Sequence, residues 1–251
     1  MIKLSVTIIT YNEEKNISRC INSVKDVADE ILVVDSFSTD KTKEICLEKG
    51  VRFIEHSFDG HIEQKNFALD TATYLHVLSL DADEALSSEL QKEIAAIKEN
   101  WQYDAYSFNR LTNYCGKWIH HCGWYPDTKI RLWNREKGCW GGVNPHDMVK
   151  MESGTAVKHI KHNIEHYSYY TIWQHIDQIN KFSEIGAKQA HERGNKSNLL
   201  KIMIKPVWKF IRDYFVKLGM LDGYYGFVIS VISSHATFVK YIKMKELQKN
   251  G

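Results

Sequence analysis

Over the first hundred residues, the hydrophobic pattern switches repeatedly between the spacing of a strand and that of a helix. Four short apolar runs have the length and the β-branched content of buried strands: 4–10, 30–36, 51–56 and 74–80. The stretches between them carry apolar residues at helical spacing: 12–26, 38–50 and 63–72. This alternation predicts an α/β fold with a mostly parallel, doubly wound sheet flanked by helices. A further helix is predicted over 83–97.

The pattern changes in the second half of the chain. Residues 109–146 are rich in aromatic residues, histidine and glycine, which predicts short strands and long loops. From Tyr169 onward the spacing is helical again. We therefore predict an α/β domain over residues 1–165 and a helical C-terminal region over 166–251.

Composition narrows the class of protein. With 251 residues, 43% hydrophobic and 25% charged, the chain can bury a sizeable core. A net charge of +2 gives no reason to expect nucleic acid as a partner. Five cysteines, an odd number in a chain of this size, argue against a disulfide framework and favour a reducing compartment. The apolar part of the N-terminus is too short for a signal peptide, and we expect a cytoplasmic protein.

The C-terminal region leaves two interpretations open. Residues 223–239 contain no Asp, Glu, Lys or Arg. They are shorter than the roughly 20 apolar residues that a membrane span needs, and they include serine and histidine. The stretch 204–227 mixes aromatic and basic residues. It could be the solvated face of a helix, or it could lie on an anionic membrane, at the inner face of the cytoplasmic membrane.

Acidic side chains follow three of the predicted strands. The segments are "TYNEE" after the first strand, "DSFSTD" after the second and "DADE" after the fourth. Ligands of such sheets bind beyond the carboxyl ends of the strands. Asp81 and Asp83 flank Ala82, and in an extended segment they can face one ligand such as phosphate-bound Mg²⁺ or Mn²⁺. Acids at the start of the helix predicted over 83–97 are the alternative interpretation.

Neither a P-loop nor a dinucleotide-binding glycine fingerprint occurs in the sequence. Instead, "VTIITYNEEKNI", "ILVVDSFSTDKT", "EQKNFAL" and "VLSLDADE" occur in that order. They resemble the nucleotide-sugar half of the family-two inverting glycosyltransferases, which have a Rossmann-like GT-A fold. The later "GWYPDTKIRLWNR" and "WGGVNPHDMV" are similar to the glucosyltransferases of lipopolysaccharide core biosynthesis. The predicted domain 1–165 would then bind both nucleotide-sugar and acceptor.

The resemblance implies a role for each matched position. It implies donor binding by Thr10, Tyr11, Glu13, Asp35, Lys65, Asp81 and Asp83. Asp83 would be the main metal ligand, and Asp81, near the ribose and sugar, would assist it. Ser36 stands where many relatives have a second aspartate. The Q-x-x-R-W signature of processive members is absent, which favours addition of a single sugar.

Inversion requires a base that removes the proton of the acceptor hydroxyl, and a carboxylate in a cleft can do this. Asp147, in "NPHD", is the candidate for this base, and Asp127 is its rival. We expect four side chains to contact the acceptor or a phosphate: Trp124, Asp127, Arg131 and His146. The run from Cys115 to Cys122 matches no common zinc-ligand spacing.

These observations predict metal-dependent transfer of a hexose, with glucose favoured, from a UDP-sugar. The expected acceptor is a saccharide or a lipid-linked saccharide, such as the lipopolysaccharide core. One alternative is a nucleotidyltransferase, which would release pyrophosphate from a nucleoside triphosphate. The other is a non-catalytic saccharide-binding protein or membrane scaffold, in which loss of Asp83 would leave ligand binding intact.

Overall fold

The computed structural model describes residues 1–144 and 146–250, apart from the side chains of His146 and Asn250. The chain forms two compact units. The first comprises Met1–Leu111 and Asp127–Tyr167, and the second comprises Thr112–Pro126 and Ser168–Gly251. The second unit therefore includes residues 112–126, which the predicted division at 165 and 166 assigns to the α/β domain.

Strands and helices alternate through the first third of the chain, as the hydrophobic pattern predicts. The elements up to β4 are β1 (Leu4–Thr10), α1 (Ile17–Val24), β2 (Glu30–Asp35), α2 (Thr42–Glu48), β3 (Arg52–Glu55), α3 (His61–Thr71) and β4 (His76–Asp81). Strands β3, β2, β1 and β4 lie side by side, and all three pairings between them are parallel. The α/β fold class is thereby confirmed.

The rest of the chain adds strands that extend this sheet, a hairpin and the C-terminal helices. They are β5 (Glu84–Leu86), α4 (Ser88–Glu99), β6 (Ala105–Tyr114), β7 (Lys117–Ile119), β8 (Asp127–Asn134), β9 (Gly138–Val143), β10 (His146–Met151), β11 (Val157–Tyr169), α5 (Ile172–Glu192), α6 (Leu199–Ile211) and α7 (Gly223–Asn250). The sheet order is β3-β2-β1-β4-β8-β6-β11-β5, with β7 paired to β6. Strands β9 and β10 form a separate antiparallel hairpin.

The helix predicted over 83–97 is wrong at its start. Residues Glu84–Leu86 form strand β5, which pairs antiparallel with β11, and all three residues are buried. Helix α4 begins only at Ser88, where the hydroxyl of Ser87 accepts a hydrogen bond from the backbone N–H of Leu90. A serine N-cap of this kind marks a helix start. In "DADE", Asp81 therefore ends β4, Asp83 lies in the connection and Glu84 begins β5, so the three acids are not the first turn of a helix.

The largest core cluster lies in the first unit, and its members follow the sequence pattern. Ile17, Cys20, Ile21 and Val24 of α1 are all buried, at the spacing of one helical face. They share this cluster with apolar residues of β1, β4 and α4. Burial of these strands on both faces fixes where each strand ends, and thus where the loops beyond their carboxyl ends lie.

The second unit is largely helical. Helix α5 starts at a capping box in which Thr171 and Gln174 each bond the other's backbone N–H. The carboxylate of Asp222 accepts a hydrogen bond from the backbone N–H of His121 (2.8 Å), which connects the segment 112–126 to the residue before α7. No single helix among the described residues is long and apolar enough to cross a membrane. The helices Leu199–Val216 and Gly219–Lys249, which are bent by 69° relative to each other, together meet the length and composition criteria for a membrane span.

Candidate active site

The predicted donor residues of the first unit gather at one edge of the sheet. Thr10, Asp35 and Asp81 are the last residues of β1, β2 and β4. In the parallel register Thr10 lies opposite Asp35, and Ile9 lies opposite Asp81. The loops that follow these strands therefore meet at the carboxyl edge, where ligands of open α/β sheets bind.

Hydrogen bonds between side chains and backbone hold together the loops after β1 and β2. The backbone N–H of Asn12 donates to the hydroxyl of Ser38 (2.8 Å), and the backbone N–H of Glu13 donates to that of Thr42 (2.8 Å). Asn12 has a φ of 53°, in the left-handed region that asparagine tolerates better than most residues. Tyr11, one of the predicted donor-binding residues, is 59% exposed beside this turn.

Asp35 is fully buried at the end of β2. One of its carboxylate oxygens accepts a hydrogen bond from the backbone N–H of Ser38 (2.7 Å). The hydroxyl of neighbouring Ser36, in the place of a second aspartate, accepts a hydrogen bond from the side-chain amide of Gln64 (3.1 Å). This hydrogen bond connects the loop to α3.

Asp81 lies between two buried cations. Its Oδ1 is 2.9 Å from Lys65 Nζ, and its Oδ2 is 3.2 Å from Arg131 Nη2. Burial raises the pKa of Asp81, but the charges of Lys65 and Arg131 outweigh it and hold that pKa well below its usual range. The two cations therefore favour the ionised form of Asp81.

Asp83 has a different partner from Asp81. Its Oδ2 lies 3.1 Å from His166 Nε2. Burial and the charge of Asp81 raise the pKa of Asp83, but the charge and hydrogen bond of His166, together with the charge of Arg110, lower it more, so the net direction is downward. His166 reaches this position because β11 pairs with β5, with His166 opposite Glu84.

Glu84 and Arg131 form a buried ion pair beneath the two aspartates. Glu84 is 1% exposed and Arg131 is 2% exposed, and their Oε1 and Nη2 atoms are 2.7 Å apart. The other oxygen of Glu84 accepts a hydrogen bond from the backbone N–H of Asp81 (3.0 Å). Burial lowers the pKa of Arg131, but Glu84 and Asp81 raise it more. Nε and Nη1 of Arg131 are buried without a hydrogen-bond partner among the described residues.

Asp147, the candidate base, lies on the β9–β10 hairpin, and its Oδ2 is 2.7 Å from Lys65 Nζ. Helix α3 holds the hairpin in place, because the side chain of Asn66 exchanges two hydrogen bonds with the backbone of Trp140 (3.0 Å each). The indole of Trp140 lies against Lys65, with the ammonium 4.3 Å from the ring centroid. Lys65 thus contacts both Asp81 and the candidate base.

Asp127, the rival base, is held by cations of its own. Its Oδ2 is 2.7 Å from Arg110 Nη2 and its Oδ1 is 3.1 Å from Lys129 Nζ. Burial raises the pKa of Asp127, but Arg110 and Lys129 lower it further.

The side chain of His146 lies outside the described residues. Trp124 belongs to the second unit, where it packs edge-on against Tyr114.

Glu13 is the one acid of this edge whose pKa moves upward. Burial raises the pKa of Glu13 to about 7, a hydrogen bond from Asn16 opposes the shift, and the charge of Asp83 adds to it. The Asn16 side-chain amide donates this bond at 2.7 Å. Glu13 therefore changes charge near neutral pH, beside the carboxylate predicted to bind the metal.

The donor set fits a phosphate-bound divalent cation better than a metal held by protein alone. Among the described residues, no group of three or more His, Cys, Asp and Glu side chains is arranged to hold a metal ion. Asp83 and His166 supply one oxygen and one nitrogen, 3.1 Å apart. Mg²⁺ commonly takes only one or two carboxylates and completes its shell with phosphate oxygens and water. The pair is therefore compatible with a cation that arrives with a diphosphate.

Sequence reasoning missed three residues of this site: Arg110, Trp140 and His166. Arg110 and His166 lie on β6 and β11, strands that reach the edge only through antiparallel pairing of distant segments. Two-residue periodicity shows which face of a strand a side chain occupies, but it does not show which strand lies next to it. Only the aromatic character of Trp140 could have signalled a role, and the sequence contains seven tryptophans.

The chain matches a known protein family over most of its length. The family described as Glycosyl transferase family 2 matches residues 5–186. An uncharacterized glycosyltransferase of Rickettsia typhi is 33% identical over 98% of this chain and 88% of its own length. The lipopolysaccharide core biosynthesis glycosyltransferase LpsC of Rhizobium meliloti is 28% identical over 96% of this chain and 91% of its own. The crystal structure of S. aureus TarS 1-349 is 16% identical, covers 99% of this chain and 92% of its own, and gives a TM-score of 0.48.

The family match and the Rickettsia relative both extend well beyond the four motifs of the first hundred residues. They confirm the resemblance and favour glycosyl transfer over the nucleotidyltransferase and scaffold alternatives. The chain belongs to glycosyl transferase family 2.

Proposed function

We propose that this glycosyltransferase moves a hexose, with glucose favoured, from a UDP-sugar to a saccharide of the lipopolysaccharide core, with inversion at the anomeric carbon. The observation that carries the proposal is the position of Lys65. Its ammonium lies within 2.9 Å of Asp81 and within 2.7 Å of Asp147. A group on the donor side and a candidate base thus meet at one cation.

The donor would occupy the carboxyl edge of the parallel strands. Thr10 and Tyr11, at the end of β1, would contact uracil and ribose, and Asp35, the last residue of β2, would bind the uracil or the ribose. The buried hydroxyl of Thr10 has no hydrogen-bond partner among the described residues. Buried polar groups are rarely left unpaired, so this hydroxyl is available to a ligand.

Cationic side chains of this chain suit a diphosphate. Lys65 and Arg131 are both buried, and two nitrogens of Arg131 have no hydrogen-bond partner within the described part of the chain. Mg²⁺ or Mn²⁺, held by Asp83 and His166, would supply further positive charge to the diphosphate as it leaves. Asp81 would keep the ammonium of Lys65 oriented.

Asp147 would act as the base. Its carboxylate takes the proton of the acceptor hydroxyl as that oxygen bonds to the anomeric carbon and the bond from this carbon to the diphosphate oxygen breaks. The electron pair of the broken bond leaves with UDP, so no covalent enzyme intermediate is required. Once a diphosphate attracts Lys65, the ion pair that occupies Asp147 weakens, and the base becomes available only when the donor is bound.

The acceptor class rests on relatives. The Rhizobium relative is named a lipopolysaccharide core biosynthesis glycosyltransferase. Asp127 and Arg110 form a second charged pair on strands β8 and β6 that could bind acceptor hydroxyls. Trp124 of the second unit stays a candidate for contact with a sugar ring.

The proposal is tested by incubating the full chain with a panel of donors and a core oligosaccharide prepared from truncated lipopolysaccharide. The panel is UDP-glucose, UDP-galactose, UDP-N-acetylglucosamine and GDP-mannose, each with Mn²⁺ or Mg²⁺. We expect UDP release and a product heavier by one hexose, with the anomeric configuration opposite to that of the donor by NMR. Transfer from GDP-mannose alone, or a product with retained configuration, would contradict the proposal. Asp26→Ala, a change at an exposed acid of the first unit, serves as the control for substitutions of site residues such as Asp83→Ala.

A further inference from the structure

Helix α6 exposes an unusual amount of apolar surface. Six of its large apolar side chains are each more than half exposed: Leu199, Leu200, Met203, Ile204, Val207 and Trp208. Single exposed apolar residues are ordinary, whereas a contiguous patch of this size marks a surface for interaction. Helix α6 therefore needs a partner that its own unit does not provide.

The side chains of α6 fall into three stripes at 100° per residue. The packed stripe contains Pro206, which is buried and whose carbonyl accepts a hydrogen bond from the Ser234 hydroxyl of α7 (2.8 Å). A second stripe is apolar and exposed, with Leu200, Met203 and Val207 along its centre. The packed stripe holds the helix in place, so the exposed stripe is a fixed surface.

The third stripe is basic and adjoins the exposed apolar stripe. It consists of Lys201, Lys205, Lys209 and Arg212. The only acid between Leu199 and Lys217 is Asp213, which is 1% exposed and pairs with Lys209 and Arg212. This surface therefore presents positive charge with no exposed acid to repel an anionic partner.

The apolar surface continues past the end of α6. A π-helical turn over Arg212–Val216 and a 3-10 turn over Gly219–Asp222 follow. Phe215, Val216 and Leu221 are each more than half exposed in these turns. Helix α7 then departs at 69° to the direction of Leu199–Val216. The exposed apolar residues of the segment 199–221 thus continue from α6 to Leu221, past the bend that lies between Val216 and Gly219.

We propose that the segment 199–221 docks on an anionic phospholipid bilayer, with α6 parallel to the membrane plane. Its exposed apolar stripe enters the boundary between headgroups and acyl chains, and its basic stripe contacts the anionic headgroups. Apolar and basic faces side by side on one helix suit this interface. The bend directs α7 away from the membrane plane. The inference is independent of the donor and the acceptor, because it requires neither.

Two observations favour a bilayer over a second copy of the chain as the occupant. A dimer through this surface would bring two basic stripes together, and the described segment offers no exposed acid to pair with them. Interfacial tryptophan is typical of membrane-bound helices, and Trp208 lies at the border between the apolar and basic stripes. An anionic bilayer complements both stripes at once.

The test is co-sedimentation of the full chain with vesicles of phosphatidylcholine alone or mixed with phosphatidylglycerol, without nucleotide or acceptor. We expect strong binding to the anionic vesicles, which weakens as salt is added, and weak binding to the neutral ones. Brominated lipids should quench part of the tryptophan fluorescence, and this quenching should fall in Trp208→Phe. Absence of binding to both kinds of vesicle would overturn the proposal.

Two double variants, each with a control, measure how much the apolar stripe and the basic stripe contribute to vesicle binding. Met203→Asp with Val207→Asp should lower the vesicle partition coefficient about tenfold or more, whereas Leu47→Asp, at an exposed site of α2, should not. Lys201→Gln with Lys205→Gln should weaken binding to anionic vesicles by roughly fivefold per residue. Its control, Lys25→Gln with Lys92→Gln, should have no effect on this binding.

Light scattering tests whether a second copy of the chain, and not a bilayer, covers this surface. A dimer in solution that is lost in the Met203→Asp and Val207→Asp variant, without vesicle binding by the native chain, would assign the surface to a second copy and overturn the proposal. A monomer that binds anionic vesicles would support it. Because no donor is present in any of these assays, failure of membrane docking and failure of the proposed sugar transfer are distinguishable.

Discussion

Two regions of this glycosyltransferase depart from the usual distribution of side chains in opposite directions. At the carboxyl edge of the sheet, charged groups such as Lys65, Glu84 and Arg131 are buried. Along α6, large apolar groups such as Leu200 and Val207 are exposed. Burying a charge and exposing an apolar side chain both cost free energy, so each region is expected to gain stability or function from a partner.

The two regions differ in whether their side chains have partners within the chain. At the sheet edge every acid described above has a cationic or hydrogen-bonding partner, so the region is stable without ligand and a ligand has to compete for those partners. Along α6 the exposed stripe has no partner inside its own unit. At the sheet edge, a charged ligand can replace some of the ion pairs. Along α6, the exposed apolar stripe can be covered by the surface of a partner.

The largest effect is expected from the candidate base. Asp147→Asn should lower kcat by roughly 10²–10⁴-fold, because a positioned base contributes about that much. The affinity for UDP should rise or stay the same, because the neutral amide competes less than the carboxylate does with the diphosphate for Lys65. Steady-state kinetics and calorimetry measure the two quantities.

Asp127→Asn is the matched comparison for that variant. It should reduce kcat less than Asp147→Asn does. If instead Asp127→Asn abolished turnover while Asp147→Asn left it near the native rate, Asp127 would be the base.

The buried ion pair gives the next effect, on stability. Arg131→Met leaves Asp81 and Glu84 without a cation that contacts both, and loss of one partner of a buried pair costs about 3–5 kcal/mol. Arg52→Met is the matched control, because Arg52 also pairs with a glutamate at 2.8 Å but is 45% exposed. That variant should cost less than about 1 kcal/mol. Equal changes in the free energy of unfolding by urea for the two variants would contradict the buried network.

Glu13 gives a smaller effect that depends on pH. Because burial raises its pKa from 4.5 to about 7, the folded protein binds a proton more tightly than the unfolded chain does. Stability from this group is full below the unfolded pKa and is lost as pH rises through about 7, on the order of 1–3 kcal/mol.

In Glu13→Gln this loss should be absent. The measurement is the free energy of unfolding at pH 5 and pH 8, with chelator present so that no cation binds beside Asp83. A native chain and variant with the same difference between the two pH values would show that Glu13 does not titrate in this range.

The same comparison shows how much the sequence could predict. Strands β1 to β4 and helix α1 follow from their hydrophobic periods, because each is local and buried. The "DADE" segment was correctly placed at the sheet edge, but the helix predicted from residue 83 is wrong, since β5 forms only by pairing with β11 more than seventy residues later. The partners of Asp83 and Asp127 are likewise set by long-range pairing, which periodicity does not encode.

On α6, in contrast, the sequence showed both the apolar and the basic residues. What it left open was which residues pack inside, and the Pro206 contact with α7 decides that. The exposed stripe could be separated from the packed stripe only after this neighbour was known.

The central claim is that Asp83 holds a cation on the diphosphate of a sugar donor. Calorimetric titration of UDP and UDP-glucose tests it most directly, with Mn²⁺ or with chelator, on the native chain, Asp83→Ala and the control Asp26→Ala. We expect binding that requires Mn²⁺ in the native chain and in the control and that is lost in Asp83→Ala. Binding of equal affinity in all three proteins, unchanged by chelator, would contradict it.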